Sequence, residues 1–196
     1  MLEDGLHGVP SGYTASVVTH LEMKSQANQR VEAELDLELV RVPDPDPEWY
    51  LDLFRDIGAP WLWFGRLDIQ AAELKELLSD PKVHVHALRD RGTDVGLLEL
   101  DFRQDGECEL AYFGLTAGMV GRGAGRWLMN RAIALAWAEN ITRFHVHTCT
   151  LDHPAALEFY RRSGFTPYKR EIEIAPDPRV IGLLPRDCAP HVPLIG

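Results

Sequence analysis

Cysteine is scarce in this 196-residue chain: three thiols, Cys108, Cys149 and Cys188, stand far apart. That spacing offers neither a paired metal-ligand motif nor a disulfide framework, and free thiols of this kind suit a reducing compartment. Positive charge is also short, with 20 Lys and Arg against 30 Asp and Glu and a formal net charge of −10. A nucleic-acid partner calls for a basic surface that displaces counterions from phosphates, so this balance argues against one. No apolar run approaches the roughly eighteen residues that cross a bilayer. The opening "MLEDGLHGVPSGYTASVV" is acidic where a signal peptide is basic, so a cytoplasmic protein without a membrane partner is expected. Repeats and low-complexity tracts are missing too. What remains is ordinary globular composition, 45% hydrophobic and 26% charged, in a chain sized for one cored domain, residues 1–196.

Along the chain, a strand is expected at Ser16 to Leu21, followed by an exposed loop at "KSQANQR". "LDLELVRV" alternates apolar and polar residues from Leu35 to Val42 and reads as a strand. "PDPDP" then breaks the chain and opens a helix with Trp49, Tyr50, Leu53, Phe54 and Ile57 on one face. An aromatic loop, "GAPWLWFGRL", and a second amphipathic helix from Ile69 to Leu78 follow. Three strands come next, "KVHVHALR", "DVGLLELDFR" and "GECELAYFGL", joined by the turn sequences "DRGT" and "QDG". A helix runs to about Asn140. After it come a strand at "RFHVHTCT", a helix within "HPAALEFYRRSG" and a closing strand at "FTPYKREIEI". The proline-rich tail, residues 175–196, is expected to be extended against the surface. A hairpin meander leading into crossover helices implies an α+β fold with a mixed sheet and helices on both faces.

Between the third meander strand and its helix lies "MVGRGAGRW", with Gly121, Gly123 and Gly125 on alternate positions. The first N–H groups of a helix have no partner inside it, and the helix dipole makes that end slightly positive. A loop with little side-chain bulk can wrap those donors around a phosphate. A tight turn that needs glycine only for its backbone angles is the plainer alternative. A dinucleotide fingerprint is excluded, because Leu128 stands where its last glycine belongs; a Walker loop is excluded, because Arg126 and Trp127 follow Gly125.

About thirty residues on, "LDHPAALEFYRRSGF" places Ala156, Phe159 and Tyr160 on a short helix closing at Gly164. Strand, glycine loop, helix, strand and this segment together resemble the GCN5-related N-acetyltransferases (GNAT) from Asp94 to Ile174. The resemblance implies that family's mostly antiparallel sheet. In the family, a loop of the form Gln/Arg-x-x-Gly-x-Gly/Ala holds the pyrophosphate of acetyl-CoA on backbone amides. The matching positions are Val120, Gly121, Arg122, Gly123, Ala124 and Gly125, continued by Arg126; Val120 stands in the usual Gln/Arg position. His153 occupies a place where the family commonly has Asn, and it joins Ala156 and Phe159 along the cofactor arm.

The resemblance further implies direct acetyl transfer to an amine, with acetyl-CoA as co-substrate and without metal. The strands "ELAYFGL" and "RFHVHTCT" would splay apart, and backbone from Phe113 to Leu115 would pair with the pantetheine arm. Tyr160 falls on the tyrosine that protonates the leaving thiolate; a packed tyrosine with a hydrogen-bonded hydroxyl is the alternative. Glu99 interrupts an apolar strand, and alternation puts it on a face with Val95 and Leu97. Partial burial there would raise its pKa and suit it as general base, while a carboxylate turned to solvent, or paired with Arg103 or a nearby histidine, is the alternative. Glu109 and Tyr112 are further candidates for that role. The pairs His84/His86 and His145/His147 lack a third ligand in sequence, and Asp152 reads as a helix cap. Trp61 and Trp63, with Tyr112, would wall the acceptor site and suit a cationic amine, whereas Arg66 would suit an acidic one. The acceptor is a small-molecule or peptide amine, and a homodimer is left open. The rival reading is a catalytically silent CoA-binding module of the same fold.

Overall fold

The computed structural model describes residues 3–195. Seven strands form one sheet: β1 (Tyr13–Met23), β2 (Glu38–Arg41), β3 (Val83–Asp90), β4 (Thr93–Asp101), β5 (Glu107–Leu115), β6 (Arg143–Cys149) and β7 (Thr166–Pro176). Their spatial order is β2-β3-β4-β5-β6-β1-β7. All neighbours are antiparallel except β5 and β6, which run parallel. The strand expected at Ser16 to Leu21 is longer, and it lies between the last two strands of the chain. The strand expected over Leu35–Val42 shrinks to Glu38–Arg41.

Four α-helices cover the two faces. Helix α1 (Pro47–Gly58) starts where the sequence suggests: Asp46 accepts hydrogen bonds from the amides of Glu48 and Trp49, at 2.8 and 3.2 Å. With α2 (Ala71–Ser79) it buries Tyr50, Phe54, Leu74 and Leu78 against Val83, Val85 and Leu97. The opposite face carries α3 (Ala124–Ala138) and α4 (Ala156–Arg162), where Leu128, Ala132 and Ile133 meet Leu98, Leu100, Leu110 and Phe144. Each fully buried Leu or Phe contributes about 1.5–3 kcal/mol, so both layers hold the sheet firmly.

Strict alternation fails at Val95. A register shift between Leu88 and Arg89 leaves it unpaired with β3, and it packs with the α3 side rather than with Leu97 and Glu99. The loop expected at "KSQANQR" is largely exposed, as expected, and begins a strap, residues 24–37, laid across α3. The Asn130 side chain accepts from the Arg30 amide (3.2 Å) and donates to the Arg30 carbonyl (2.8 Å). Glu32 pairs with Arg131, whose guanidinium also stacks 3.7 Å over the Trp127 ring.

The tail is folded into turns rather than extended. Asp177 and Arg179, both almost fully buried, pair at 2.7 Å, and Arg179 also donates to the carbonyls of Cys188, Ala189 and Val192. This knot sets Leu184 and Ala189 against Leu62, in the segment after α1. No described helix is long and apolar enough to cross a membrane.

Candidate active site

Strands β5 and β6 pair only at Glu107–Arg143, Cys108–Phe144 and Glu109–His145. Beyond that point they separate, and the backbone of Leu110 to Leu115 that faces β6 has no strand partner. On its other side β5 stays bound to β4, with a register shift that bulges the chain at Ala111. Gly114 lies in the opened stretch: a Cβ there would meet Ile57 Cγ2 at 2.3 Å, so only glycine lets α1 come this close. Between the parted strands is a cavity of about 620 Å³.

The glycine loop closes one end. Gly121 and Gly123 have φ of +80° and +86°, a left-handed conformation that favours glycine, and Gly123 caps α3. The first α3 amide with a partner is that of Trp127, which donates to the Gly123 carbonyl. The amides of Gly123, Ala124, Gly125 and Arg126 have none among the described residues, and no side chain caps the helix. Val120, Gly121 and Gly125 line the cavity. Arg122, Gly123, Ala124 and Arg126 lie just outside the lining. Arg122 approaches Asp90 (3.7 Å), and Arg126 donates to the Val31 carbonyl of the strap (2.8 Å).

Along the cavity come Phe113, Leu115, Ala156, Phe159 and Tyr160. The Tyr160 ring is buried against Phe113, Phe159 and Phe165, yet its hydroxyl has no hydrogen-bond partner among the described residues. Burial, with the nearby Asp152 carboxylate, pushes the Tyr160 phenol well above its usual pKa. His153 lines the same wall. Its ring meets Trp61 edge-on at 5.1 Å, and its Nδ1 lies 3.1 Å from the Ala155 amide, so it accepts there. Asp152 does not cap α4; it accepts from the Thr148 hydroxyl (2.7 Å), the Cys149 amide (2.9 Å) and the Trp63 indole (3.1 Å). One carboxylate thereby ties the end of β6 to the aromatic loop.

The other end is walled by Trp61, Leu62, Trp63, Phe64, Gly65 and Tyr112. Burial, the leading cause, raises the Tyr112 phenol to about 12, with Arg66 opposing. Glu99 and Arg66 do not line the cavity. Glu99 is fully buried beneath it, accepting from the Tyr50 hydroxyl and from Arg66 Nη2, both at 2.5 Å. Arg66 stacks under the Tyr112 ring at 4.9 Å. Glu99 is thus ion-paired, but with Arg66 rather than with Arg103 or a histidine; Arg103 pairs with Asp101 at 2.6 Å. Glu99 was legible as an acid amid leucines; its partners, 33 and 49 residues away, were not.

His147 stands at the cavity lip where the strands part, its Nδ1 3.5 Å from Glu109. That carboxylate raises the imidazole pKa against the opposing effect of burial, and the imidazole lowers that of Glu109. Glu173 of β7 lines the lip as well. Among the described residues no group of three or more His, Cys, Asp or Glu side chains converges as a metal site.

A split sheet beside an unsatisfied helix terminus makes an α+β fold with room for an extended, phosphate-bearing ligand. The sequence model of the Acetyltransferase (GNAT) family matches residues 44–165, and the chain belongs to that family. Among solved structures, the chain resembles a GCN5-related N-acetyltransferase from Sphaerobacter thermophilus, at 16% identity and a TM-score of 0.61. That match covers 84% of this chain and 53% of the other. A GCN5-related N-acetyltransferase from Kribbella flavida matches at 18% identity and a TM-score of 0.55, over 85% of this chain and 60% of the other. An aminoglycoside acetyltransferase from an uncultured soil metagenomic sample matches at 18% identity and a TM-score of 0.54, over 66% of this chain and 90% of the other. The chain therefore spans between half and two thirds of the first two proteins. No curated protein matches the sequence.

Proposed function

We propose that this protein is an N-acetyltransferase that moves an acetyl group from acetyl-CoA directly to an amine. The observation that carries the reading is one continuous cavity running from free helix amides, along an unpaired strand edge, to an unpartnered phenol. Acetyl-CoA fits these features. The α3 amides and the loop of Gly121 and Gly123 would hold its pyrophosphate, and Val120 leaves that task to backbone. The free edge of β5 around Phe113 to Leu115 would bind the amide-bearing arm, with Ala156, Phe159 and His153 along it. The thioester supplies an activated acetyl group and a thiolate leaving group.

Tyr160 holds the proton for that thiolate on its hydroxyl. His147, backed by Glu109, accepts the proton that the attacking amine loses, through water where the two are not in contact. Glu99 then has a positioning role: it fixes Arg66, and through Arg66 the ring of Tyr112. With Arg66 committed to Glu99, the cavity lining contains carboxylates but no Lys or Arg side chain. Trp61, Trp63 and Tyr112 add π-faces, so a positively charged amine acceptor, small molecule or peptide, suits the site. The strands Tyr13–Met23 and Thr166–Pro176 lie side by side in the one sheet, which supports reading the described residues as a single domain, and the reducing-compartment composition supports a cytoplasmic setting.

Calorimetric titration with acetyl-CoA, CoA, ATP and NAD, followed by a thiol-release assay over charged and neutral amines, tests the proposal. Micromolar binding of the two CoA ligands alone, with turnover on cationic amines, is expected. CoA binding without turnover on any amine would restore the silent-module reading, and no CoA binding would end both.

A further inference from the structure

The strap of residues 24–37 brings positive charge to the side of the glycine loop. It lies before residue 44, where the family match begins. Its path is fixed at both α-helices of that face. Ala27 passes so close to Gly164, just beyond α4, that a Cβ on the glycine would meet the Ala27 methyl at 2.6 Å. The Asn130 side chain bonds both the N–H and the carbonyl of Arg30, at 3.2 and 2.8 Å. Arg126 donates to the Val31 carbonyl at 2.8 Å, and a Cβ on Gly123 would stand 3.9 Å from that of Ala33. Arg126 and Asn130 are one turn apart on the same face of α3, so Arg30 is held beside Arg126 at the start of that helix.

Arg162, in the last turn of α4, completes the group. Partial burial, then the charges of Arg126 and Arg162, push the Arg30 guanidinium below its usual pKa. Like charges this close repel. Glu158 pairs with Arg161 and Arg162, and the strap's Glu32 with Arg131, so neither neutralises Arg30 or Arg126. The Arg30 side chain has no hydrogen-bond or ion-pair partner among the described residues, and Arg126 has only the uncharged Val31 carbonyl. A chain of net charge −10 that gathers guanidiniums beside free helix amides offers that place to an anion.

CoA carries two kinds of phosphate. One is the pyrophosphate assigned above to the α3 amides; the other is a monoester on the ribose, with close to two negative charges at neutral pH. We propose that Arg30 and Arg126, with Arg162 beside them, bind the ribose phosphate monoester, so that the strap selects CoA over its 3′-dephospho form. The inference rests on the CoA reading above. Calorimetry of the full chain with CoA and with 3′-dephospho-CoA, at low and high salt, tests it. The wild type should bind CoA about tenfold more tightly or better, and the gap should narrow as salt screens the charges. Arg30→Gln should lose most of that gap by weakening CoA alone, with an unchanged thermal midpoint, because residue 30 is anchored through its backbone. Arg126→Gln should act in the same direction. Equal affinity of the wild type for the two ligands, or an Arg30→Gln variant that keeps the gap, would overturn the subsite and leave the CoA reading standing. Binding of neither ligand would overturn the CoA reading and the subsite with it.

Discussion

At Tyr160 the ring is fixed by three aromatic neighbours while the hydroxyl has no partner among the described residues. Removing the oxygen therefore costs the fold little. Tyr160→Phe should lower kcat by about 10²–10⁴, the usual worth of a general acid, with CoA affinity and thermal midpoint near wild type; a kcat within a factor of two would remove Tyr160 from the chemistry. Glu99 makes the opposite case. Its carboxylate is fully buried against Arg66 and Tyr50, and Glu99→Gln would leave the guanidinium buried without its counter-charge. A loss of about 3–5 kcal/mol in denaturant unfolding is expected, and unchanged stability would mean that the pair does not hold the loop. For His147 the signature is pH. As base it must be neutral, and Glu109 raises its pKa above the ordinary 6.5. The rate kcat/KM should climb as pH rises through that raised value. In Glu109→Gln the inflection should move to lower pH, because the carboxylate that favours the imidazolium is gone; an unmoved inflection would assign the titration to another group.

The glycine loop behaves as an element whose residues separate by task. Gly123 adopts φ of +86°, so a side chain strains it wherever it points. Gly125 sits inside α3 with ordinary angles, and a Cβ there would meet Leu115 and Phe159 at 3.8 Å, an ordinary contact. Gly125→Ala should therefore stabilise the protein by up to about 1 kcal/mol. The same methyl intrudes on the cavity beside the free amides, so CoA affinity should fall. Calorimetry and thermal unfolding on one sample check the pair, and a variant with unchanged CoA affinity would place the cofactor elsewhere. This loop was legible because the need for positive φ writes itself into local sequence. So were α1, with Asp46 and Pro47 at its start, and the turn glycines of the β3–β4–β5 meander. The place of β1 was not, since no local pattern says which edge an 11-residue strand will join. Nor was the split between β5 and β6, which depends on pairing that stops after Glu109 and His145.

Across the whole molecule, the end of the chain supports the site, and five prolines in a tail do not announce that. No local pattern in the sequence marks Arg179. In the fold it is buried, pairs with Asp177 and gathers three carbonyls from residues 9 to 13 positions away. The turns so fixed put Leu184 and Ala189 on Leu62 and bring the His191 ring to 5.6 Å from Trp61. The aromatic wall is thus clamped from outside by the tail and from inside by Glu99 and Arg66. Arg179→Met keeps the apolar bulk but strands Asp177, which should cost about 3 kcal/mol. Asp177 is held below the usual carboxylate range chiefly by its hydrogen bond to Arg179. Its contribution is therefore complete above the unfolded pKa and is lost as pH falls through the lower folded value, so the stability gap between variant and wild type should narrow in acid. Released turns should become open to limited proteolysis after residue 177, and KM for the amine should rise more than KM for acetyl-CoA, because Trp61 is far from the α3 amides in the order of the cavity. Equal rises in both constants would mean that the tail supports the fold at large and not the acceptor wall.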